Sequence, residues 1–355
     1  VQTDRPCKVN MAYWKEAEPA TVRYSADVEA RAENTFAVDL IADQVEPGQT
    51  YRYRVLLDGR PMDIADTLRF RTQPLWKHRT EPPDFSLATG SCAYINEPAY
   101  DRPGKPYGDG YPIFNSIADQ RPDLMLWLGD NAYLREPDWG TRSGYLHRYT
   151  HTRAAPELQR LLRTTHHYAI WDDHDFGPND ADGSWVNADI AREAFDLFWP
   201  NPAGRAPGVG GITTAFSYGD VDFFLLDNRS FRVPPDVRTD TAQMFGEAQL
   251  DWLIRGLKYS DATFRIVATG GQVLNTAAVY ENYAAYPRER QRLLDRLNAE
   301  GIRNVILLTG DRHHTVLSKL GQKNGLPLYD LTVSPLTSTS YQPNENNTLA
   351  VEGTV

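Results

Sequence analysis

The first part of the chain alternates apolar and polar residues with a period of two. The segments "TFAVDL" (35–40), "TYRYRVLLDG" (50–59) and "TLRFRTQ" (67–73) each place apolar side chains on one side and polar side chains on the other. This alternation is typical of half-buried antiparallel strands. The turn-forming segments "EPGQT" (46–50) and "LDGRP" (57–61) separate the strands, so the pattern predicts a small β-sandwich.

A different pattern follows the proline-rich joint "EPPD" (81–84). Continuous apolar runs alternate there with helical stretches, which is typical of buried strands in an α/β fold. The segments "AQLDWLIRGL" (248–257) and "RQRLLDRLNAEG" (290–301) place leucines on one helical face. Both are predicted to be helices that cover the sheet, and Gly301 should end the second one.

Length and composition agree with two domains, which we place at residues 1–76 and 84–355. The chain has 355 residues, of which 41% are hydrophobic, and this is more than one compact core usually needs. Acidic residues outnumber basic ones by 47 to 37, and the net charge of -10 argues against a nucleic-acid-binding surface. No apolar run reaches the roughly 18 residues of a membrane-spanning helix, so we expect no transmembrane segment.

The chain begins at Val1 without an initiator methionine or an apolar leader. That beginning fits either a processed secretory protein or a trimmed chain, and we expect a secreted or periplasmic location. Two cysteines, Cys7 and Cys92, allow one disulfide at most. They leave the redox compartment open.

Nearly every apolar run of the second part ends in side chains that bind metals or phosphate. These side chains are Ser91 and Cys92; Asp130, Asn131 and Tyr133; Asp172, Asp173, His174 and Asp175, with Asn179 beyond; Asp227, Asn228 and Arg229; Gln272; and Asp311, His313 and His314. Open α/β sheets bind ligands in the crevice beyond the carboxyl ends of their strands. We therefore expect these clusters to converge on one site.

The chemistry of the predicted site calls for metal ions. Carboxylates crowded at strand ends raise one another's pKa values and resist ionisation unless cations lie among them. A shared carboxylate such as Asp130 can bridge two ions. Cys92 and Tyr133 supply a thiolate and a phenolate, which suit trivalent iron, whereas the Asp- and Asn-rich positions suit a hard, oxygen-seeking ion.

The order of short motifs resembles that of a known enzyme family. The segments "SCAY", "GDNAY", "WDDHD", "LDNRSFR", "FGEAQLDWL", "GGQ" and "GDRH" are similar to the ordered motifs of the alkaline phosphatase D family of metallophosphoesterases. This resemblance covers nearly the whole second part. In the first part, "VEPGQTYRYRVLLDG" and "RFRTQP" are similar to that family's fibronectin-III-like N-terminal domain.

The resemblance implies a fold and a set of ligands. The fold is of the α/β (α+β) class, with a fibronectin-III-like β-sandwich followed by a four-layer α/β/β/α metallophosphoesterase domain. The implied metals are Fe(III) and Ca²⁺, with Zn, Mn or Mg as alternatives. Cys92, Asp130, Tyr133 and His313 match the family's iron ligands, and Asp130 also contacts the second metal. Asp311 matches a ligand position in the "GDxH" segment.

Several roles stay open after this comparison of motifs. Asp173 stands where many metallophosphoesterases carry an asparagine, and either Asp173 or Asn179 completes the calcium site. His174 stands at the histidine that follows and is expected to protonate the leaving group. Arg229 is expected either to contact the phosphate or to form a salt bridge with Asp227.

The expected activity is hydrolysis of small-molecule phosphate esters by a metal-activated hydroxide, with phosphomonoesters and also phosphodiesters as substrates. Two alternatives stay open. One is a phospholipase or phosphodiesterase specialised for larger esters. The other is a non-catalytic extracellular binding protein whose metal site is structural. The sequence makes no prediction of the oligomeric state.

Overall fold

The chain folds into a β-rich first part and a larger part with both strands and helices. The computed structural model describes residues 1–64, 66–108, 110–202, 204–237, 242–323 and 327–355. Its strands are β1 (Cys7–Lys15), β2 (Arg23–Tyr24), β3 (Val28–Ala30), β4 (Thr50–Leu57), β5 (Arg60–Pro61), β6 (Arg69–Arg71), β7 (Leu87–Gly90), β8 (Leu124–Leu128), β9 (His166–Ile170), β10 (Thr214–Tyr218), β11 (Val221–Leu225), β12 (Phe264–Thr269), β13 (Val305–Thr309), β14 (Val316–Leu320) and β15 (Leu328–Thr332). Its α-helices are α1 (Pro112–Gln120), α2 (Arg142–Arg153), α3 (Pro156–Thr164), α4 (Asp173–Phe176), α5 (Ala188–Phe198), α6 (Glu247–Tyr259) and α7 (Pro287–Ala299).

The strands of the first part pair in one antiparallel sheet built around β1 and β4. Strand β1 pairs with β2, β3 and β4, and β4 also pairs with β5 and β6. The alternation along β1 buries Val9, Met11 and Tyr13 on one face, beside Tyr51 of β4. Residues 36–42 supply the apolar side chains that pack on this face. The period-two pattern therefore predicts β4 and its burial correctly.

The prediction of a strand at "TFAVDL" (35–40) is wrong. Phe36 has a φ of 60°, which takes the chain out of the extended region, and Ala37 makes only an isolated bridge to Gln2. The alternation there reflects side chains that pack on the sheet without joining it. The described residues of the first part form one sheet, so the fibronectin-III-like sandwich is not confirmed.

The second part contains two further sheets. A parallel three-stranded sheet has the order β7-β8-β9, and a six-stranded sheet has the order β10-β11-β12-β13-β15-β14. The central strands β11, β12, β13 and β15 are parallel, and the edge strands β10 and β14 are antiparallel to their neighbours. Parallel strands place their carboxyl ends at one edge of a sheet. Between Arg71 and Leu87 the described residues contain no helix or strand, and the division into domains 1–76 and 84–355 stays a prediction.

Core contacts set the order of the layers in this part. Tyr168 of β9 stacks on Phe216 of β10, with ring centroids 3.8 Å apart, so the two sheets face each other. Phe114 of α1 contacts Trp127 of β8 on the three-stranded sheet. Helices α6 and α7 share a second hydrophobic core with the six-stranded sheet. The layers are therefore helices, three-stranded sheet, six-stranded sheet and helices.

The two helices predicted from leucine spacing are present as α6 and α7. In α6, Leu250, Leu253 and Leu257 are buried, as the spacing predicts. Gly301 follows the end of α7 with a φ of +64°, a conformation that glycine adopts without a Cβ clash. Among the described residues, no helix combines the length and the apolarity of a membrane span.

The contact of α6 with the six-stranded sheet can be tested with Leu253→Ala. Leu253 is 1% exposed, so truncation leaves a cavity, and the free energy of unfolding should fall by about 2–5 kcal/mol. Tyr259→Ala is the matched control, because Tyr259 lies on the same helix and is 93% exposed. Denaturant unfolding of both variants checks this, and equal losses would contradict the described packing.

Candidate metal centre

The site lies where strand ends of the two sheets meet. Strands β7 and β8 of one sheet and β13 of the other end just before Ser91, Gly129 and Gly310. Within each sheet, backbone hydrogen bonds join neighbouring strand ends: Cys92 N–H donates to the Gly129 carbonyl (3.2 Å), and Gly310 N–H donates to the Gly270 carbonyl (2.7 Å). Across the two sheets, Cys92 Sγ lies 3.6 Å from the Asp311 carbonyl oxygen. The strand-end clusters of the sequence therefore converge, as expected.

Two glycines allow this close approach. Gly129 has a φ of +91°, and a Cβ there would lie 2.7 Å from Asp172 Cβ. A Cβ on Gly310 would lie 2.6 Å from the Leu128 carbonyl oxygen. Both contacts are shorter than side chains allow, so the glycines of "GDN" and "GDR" are required by packing. They place the aspartates that follow them at the junction of the sheets.

One group of candidate ligands combines sulfur, phenol, carboxylate and imidazole. Cys92 Sγ lies 3.6 Å from Asp130 Oδ2, and the Tyr133 hydroxyl lies 3.1 Å from the same oxygen. His313 Nε2 lies 3.4 Å from the Tyr133 hydroxyl. The other ring nitrogen, His313 Nδ1, lies 2.7 Å from the Thr339 carbonyl oxygen. That contact orients the imidazole so that Nε2 faces the group.

A second group is mostly carboxylate. Ligand atoms of Asp130, Asp173 and His174 lie within 4.8 Å of one another, and so do those of Asp173, Asp180 and Glu281. Asp173 belongs to both sets, and its Oδ2 accepts the backbone N–H of Asp180 at 2.8 Å. Asp130 also joins the sulfur-containing group, so one carboxylate connects the two groups.

Many of these side chains stand on strained backbone. A positive φ occurs at Cys92 (60°), Asp130 (52°), Asp180 (62°), Glu281 (51°), Asp311 (66°) and His313 (53°). This left-handed region is unfavourable for residues other than glycine, and such strain clusters at functional sites. The strand-end turns thus hold the candidate ligands in conformations that the surrounding packing must stabilise.

Burial and mutual repulsion raise the pKa values of three groups in the cluster, whereas His174 and Arg229 outweigh burial at Asp173 and lower its pKa to about 2. Burial, followed by the Asp173 and Asp172 carboxylates, raises the pKa of Asp130 well above its usual range. Burial, followed by Asp172 and Asp173, does the same for Asp311. Burial and the Asp130 carboxylate raise the pKa of the Cys92 thiol. These groups therefore resist ionisation together unless positive charge lies among them.

The donor set fits metal ions. Asp172 Oδ2 is buried and has no hydrogen-bond partner among the described residues. A buried carboxylate oxygen without a partner is costly, and a nearby cation would lower that cost. The thiol, phenol and imidazole near Asp130 suit a transition metal, and the oxygen-rich group around Asp173 suits a hard cation. The residues thus provide two kinds of metal position that share one carboxylate.

Arg229 lies behind this cluster and is 3% exposed. Its Nε donates to Asp172 Oδ1 (2.6 Å), and a terminal nitrogen donates to Glu281 Oε1 (2.7 Å). The expected salt bridge between Arg229 and Asp227 is wrong. The only group of Arg229 that donates to the Asp227 carboxylate is its backbone N–H (2.9 Å). The Arg229 side chain instead orders two acidic residues, and its predicted contact with phosphate stays untested.

Other predicted residues divide between cavity and core. Asn179 lies on the cavity wall with Asp180, and His314 also lines the cavity. Gln272 is a core residue: its Nε2 donates to Thr332 Oγ1 at 3.0 Å.

The sequence pattern does not single out Asp180, Glu281 or Arg312. Asp180 and Glu281 lie in loops and follow no apolar run, so no strand-end signal marks them.

The cluster forms the floor of an open cavity of about 840 Å³. The floor is lined by Asp130, Tyr133, Asp173, His174, Asp311 and His313. Its walls carry the aromatic side chains of Tyr94, Tyr107, Trp139, Tyr280 and Tyr341. A small molecule can therefore reach the candidate ligands from solvent.

Comparisons with known proteins identify the family of this chain. Residues 87–354 match the family model of the PhoD-like phosphatases. The chain belongs to this family. Alkaline phosphatase D of Bacillus subtilis (strain 168) is 23% identical in an alignment of 333 residues, and the match covers 80% of this chain and 54% of that protein. This PhoD-like chain thus spans about half the length of that relative.

Solved structures share the fold of this PhoD-like chain. The match to the structure of PhoD has a TM-score of 0.76 at 20% identity, and it covers 95% of this chain and 72% of the PhoD chain. The purple acid phosphatase of yellow lupin (Lupinus luteus) seeds has a TM-score of 0.67 at 11% identity, and the match covers 97% and 63% of the two chains. These likenesses show a mixed α/β fold with several sheets.

The repulsion within the cluster predicts opposite effects of Asp130→Asn with and without metals. In metal-free protein the amide removes a negative charge from the cluster, so the midpoint of thermal unfolding should rise. In metal-supplied protein the variant lacks the shared ligand, so metal content and metal-induced stabilisation should fall. Calorimetry and elemental analysis measure both effects.

Asp189→Asn is the matched control for this experiment, because the Asp189 side chain is 93% exposed on α5. The control should change neither the unfolding midpoint nor the metal content. A metal-free Asp130→Asn protein that is less stable than the wild type would contradict the repulsion.

Proposed function

We propose that this chain is a metal-dependent phosphoester hydrolase that acts on small-molecule phosphomonoesters and also on phosphodiesters. The observation that carries the proposal is the convergence of phenol, imidazole and carboxylate donors on the floor of an open cavity, with the buried Cys92 thiol 3.6 Å from Asp130 Oδ2. A purely structural metal site is usually closed to solvent, as known zinc sites show. The open cavity therefore favours catalysis over a non-catalytic binding protein.

The proposed metals are Fe(III) and Ca²⁺, with Zn, Mn or Mg as alternatives. Cys92, Asp130, Tyr133 and His313 would hold the iron, and their contacts of 3.1–3.6 Å support this assignment. Asp173 and Asp311 would hold the calcium, with Asp130 shared, and Asn179 on the cavity wall is the alternative to Asp173. Such ions lower the pKa of a bound water and neutralise phosphate charge when they are present.

His174 is the proposed donor of a proton to the leaving group. Its ring packs against Tyr133 at an interplanar angle of 30°, with centroids 4.3 Å apart, and its Nε2 lies 4.0 Å from Asp173 Oδ2. The pKa of His174 is lowered, because burial outweighs the Asp173 carboxylate, which raises it. The backbone N–H of His174 donates to Asp130 Oδ1 at 3.3 Å, which fixes its position over the cluster. The ring is 25% exposed, so a substrate can contact it.

The size of the cavity also supports a second candidate function, which is a phosphodiesterase or phospholipase for larger esters. The volume of about 840 Å³ exceeds the needs of a simple phosphate ester, and the tyrosine-rich walls offer apolar surface. We further propose a secreted or periplasmic location and a fibronectin-III-like first part. The antiparallel pairing of β1 and β4 supports the latter.

Removal of the metals should abolish hydrolysis. Exhaustive chelation removes the cations that the carboxylates need, so both aryl monoesters and aryl diesters should be left intact. Fe(III) with Ca²⁺ should restore activity and a visible charge-transfer band from Cys92 and Tyr133. Full activity in metal-free protein would contradict the proposal, and active protein without iron would overturn the iron assignment alone.

Asp173→Ala and His174→Ala should lower the hydrolytic activity in different ways. Asp173→Ala removes a ligand, so metal content should fall and activity should fall with it for every ester. His174→Ala should keep the metals and slow alkyl esters by roughly 10²- to 10⁴-fold, because alkoxide leaving groups need a proton. Aryl esters with low-pKa leaving groups should slow much less. Equal losses on both ester types at full metal content would refute the general-acid role.

A further inference from the structure

Arg312 is a cation on the cavity wall that the proposed ligand set does not use. It lies between Asp311 and His313, and all three residues line the cavity. Its side chain is 5% exposed. The position next to two candidate ligands places a fixed positive charge beside the place where a phosphoryl group would bind.

The guanidinium of Arg312 is held on two sides. A terminal nitrogen donates to Glu345 Oε1 at 2.8 Å, and the guanidinium carbon lies 4.0 Å from the centre of the Tyr280 ring. Tyr280 itself has a positive φ of 45°, so the loop that presents its ring is strained. Stacking and an ion pair fix the plane of an arginine before any ligand arrives, which lowers the entropy lost on binding.

Arg312 also retains an unused donor. Its Nε is buried and has no hydrogen-bond partner among the described residues. Arginine offers five N–H donors in a planar fork that matches the oxygens of phosphate. Because Arg312 lines the cavity, an anionic oxygen of a ligand can approach its guanidinium.

The other arginines near the cluster are committed elsewhere or lie at the mouth. Arg135 lines the cavity, but it donates to Asp101 Oδ1 from Nε at 2.9 Å and to the Ile95 carbonyl at 2.9 Å. Arg229 is bound to Asp172 and Glu281. Arg102 lines the cavity and is exposed. Among the described arginines of the cavity wall, Arg312 is the one with a buried, unpartnered nitrogen.

We infer that Arg312 binds an oxygen of the phosphoryl group of the substrate, and that Glu345 positions it. The inference rests on the proposed phosphoesterase function. Arg312 is then a specificity-determining residue for anionic esters. Glu345 has a second effect, because its carboxylate holds the guanidinium and also repels a phosphate dianion.

The test is calorimetric binding of inorganic phosphate to metal-loaded protein, which needs no turnover. Arg312→Met should weaken phosphate binding roughly 10- to 100-fold, since it removes a charge-assisted hydrogen bond. Arg312→Lys keeps the charge and loses the planar fork, so its loss should be smaller. Glu345→Gln keeps a side-chain oxygen for Arg312 and removes the repulsive charge, so phosphate should bind more tightly. Arg255→Met, an exposed change on α6, is the matched control.

All variants are compared at equal metal content, determined by elemental analysis. If Arg312→Met loses metal or does not fold, Arg312→Lys supplies the comparison. Phosphate binding by these variants equal to that of the wild type would overturn the inference, and the Arg312–Glu345 pair would then serve only to tether the C-terminal segment. If no ester is hydrolysed but Arg312→Met still binds phosphate more weakly, the proposed function fails, and only the binding of phosphate by Arg312 is supported.

Discussion

Repulsion between buried carboxylates is the constraint on which the candidate site depends. Asp130, Asp173 and Asp311 lie together at the junction of two sheets, where burial raises the pKa values of Asp130 and Asp311. The free energy of unfolding of a protein is small, so several buried charges without a counter-charge would destabilise the fold unless another interaction compensates them. Under the proposed function, cations would supply that compensation and also the chemistry. Stability and function of this region therefore depend on one interaction.

The backbone around the site shows how the rest of the fold brings the carboxylates together. Gly129 allows the ends of β8 and β9 to approach within one sheet, Gly310 allows the end of β13 to approach β8 of the other sheet, and the residue after each glycine has a positive φ. Strain of this kind persists only where surrounding packing enforces it. The layered core of sheets and helices provides that packing. Arg229 then holds Asp172 and Glu281 in place from behind, at the cost of burying its own charge.

Local signals in the sequence predict much of this arrangement. Leucine spacing predicts α6 and α7, and the rule that ligands gather at strand ends predicts that Cys92, Asp130 and Asp311 meet. The predictions that failed also have physical reasons. Residues 35–40 alternate like a strand, but they pack on a sheet without pairing, and periodicity cannot distinguish these cases. Glu281 escapes prediction because a loop brings it to the site through long-range contacts.

The most direct test of this account is the stability of the protein against pH, with and without bound metals. Folded-state pKa values of Asp130 and Asp311 are raised, so their destabilising effect is absent below the unfolded-state pKa of about 4 and grows as the pH rises through the folded values. Metals bind the deprotonated ligands, so they remove this loss. We expect the difference in unfolding midpoint between the metal-loaded and metal-free forms to widen steadily from pH 5 to pH 8. A difference that stays constant or narrows over that range would contradict the claim that cations hold the carboxylate cluster together.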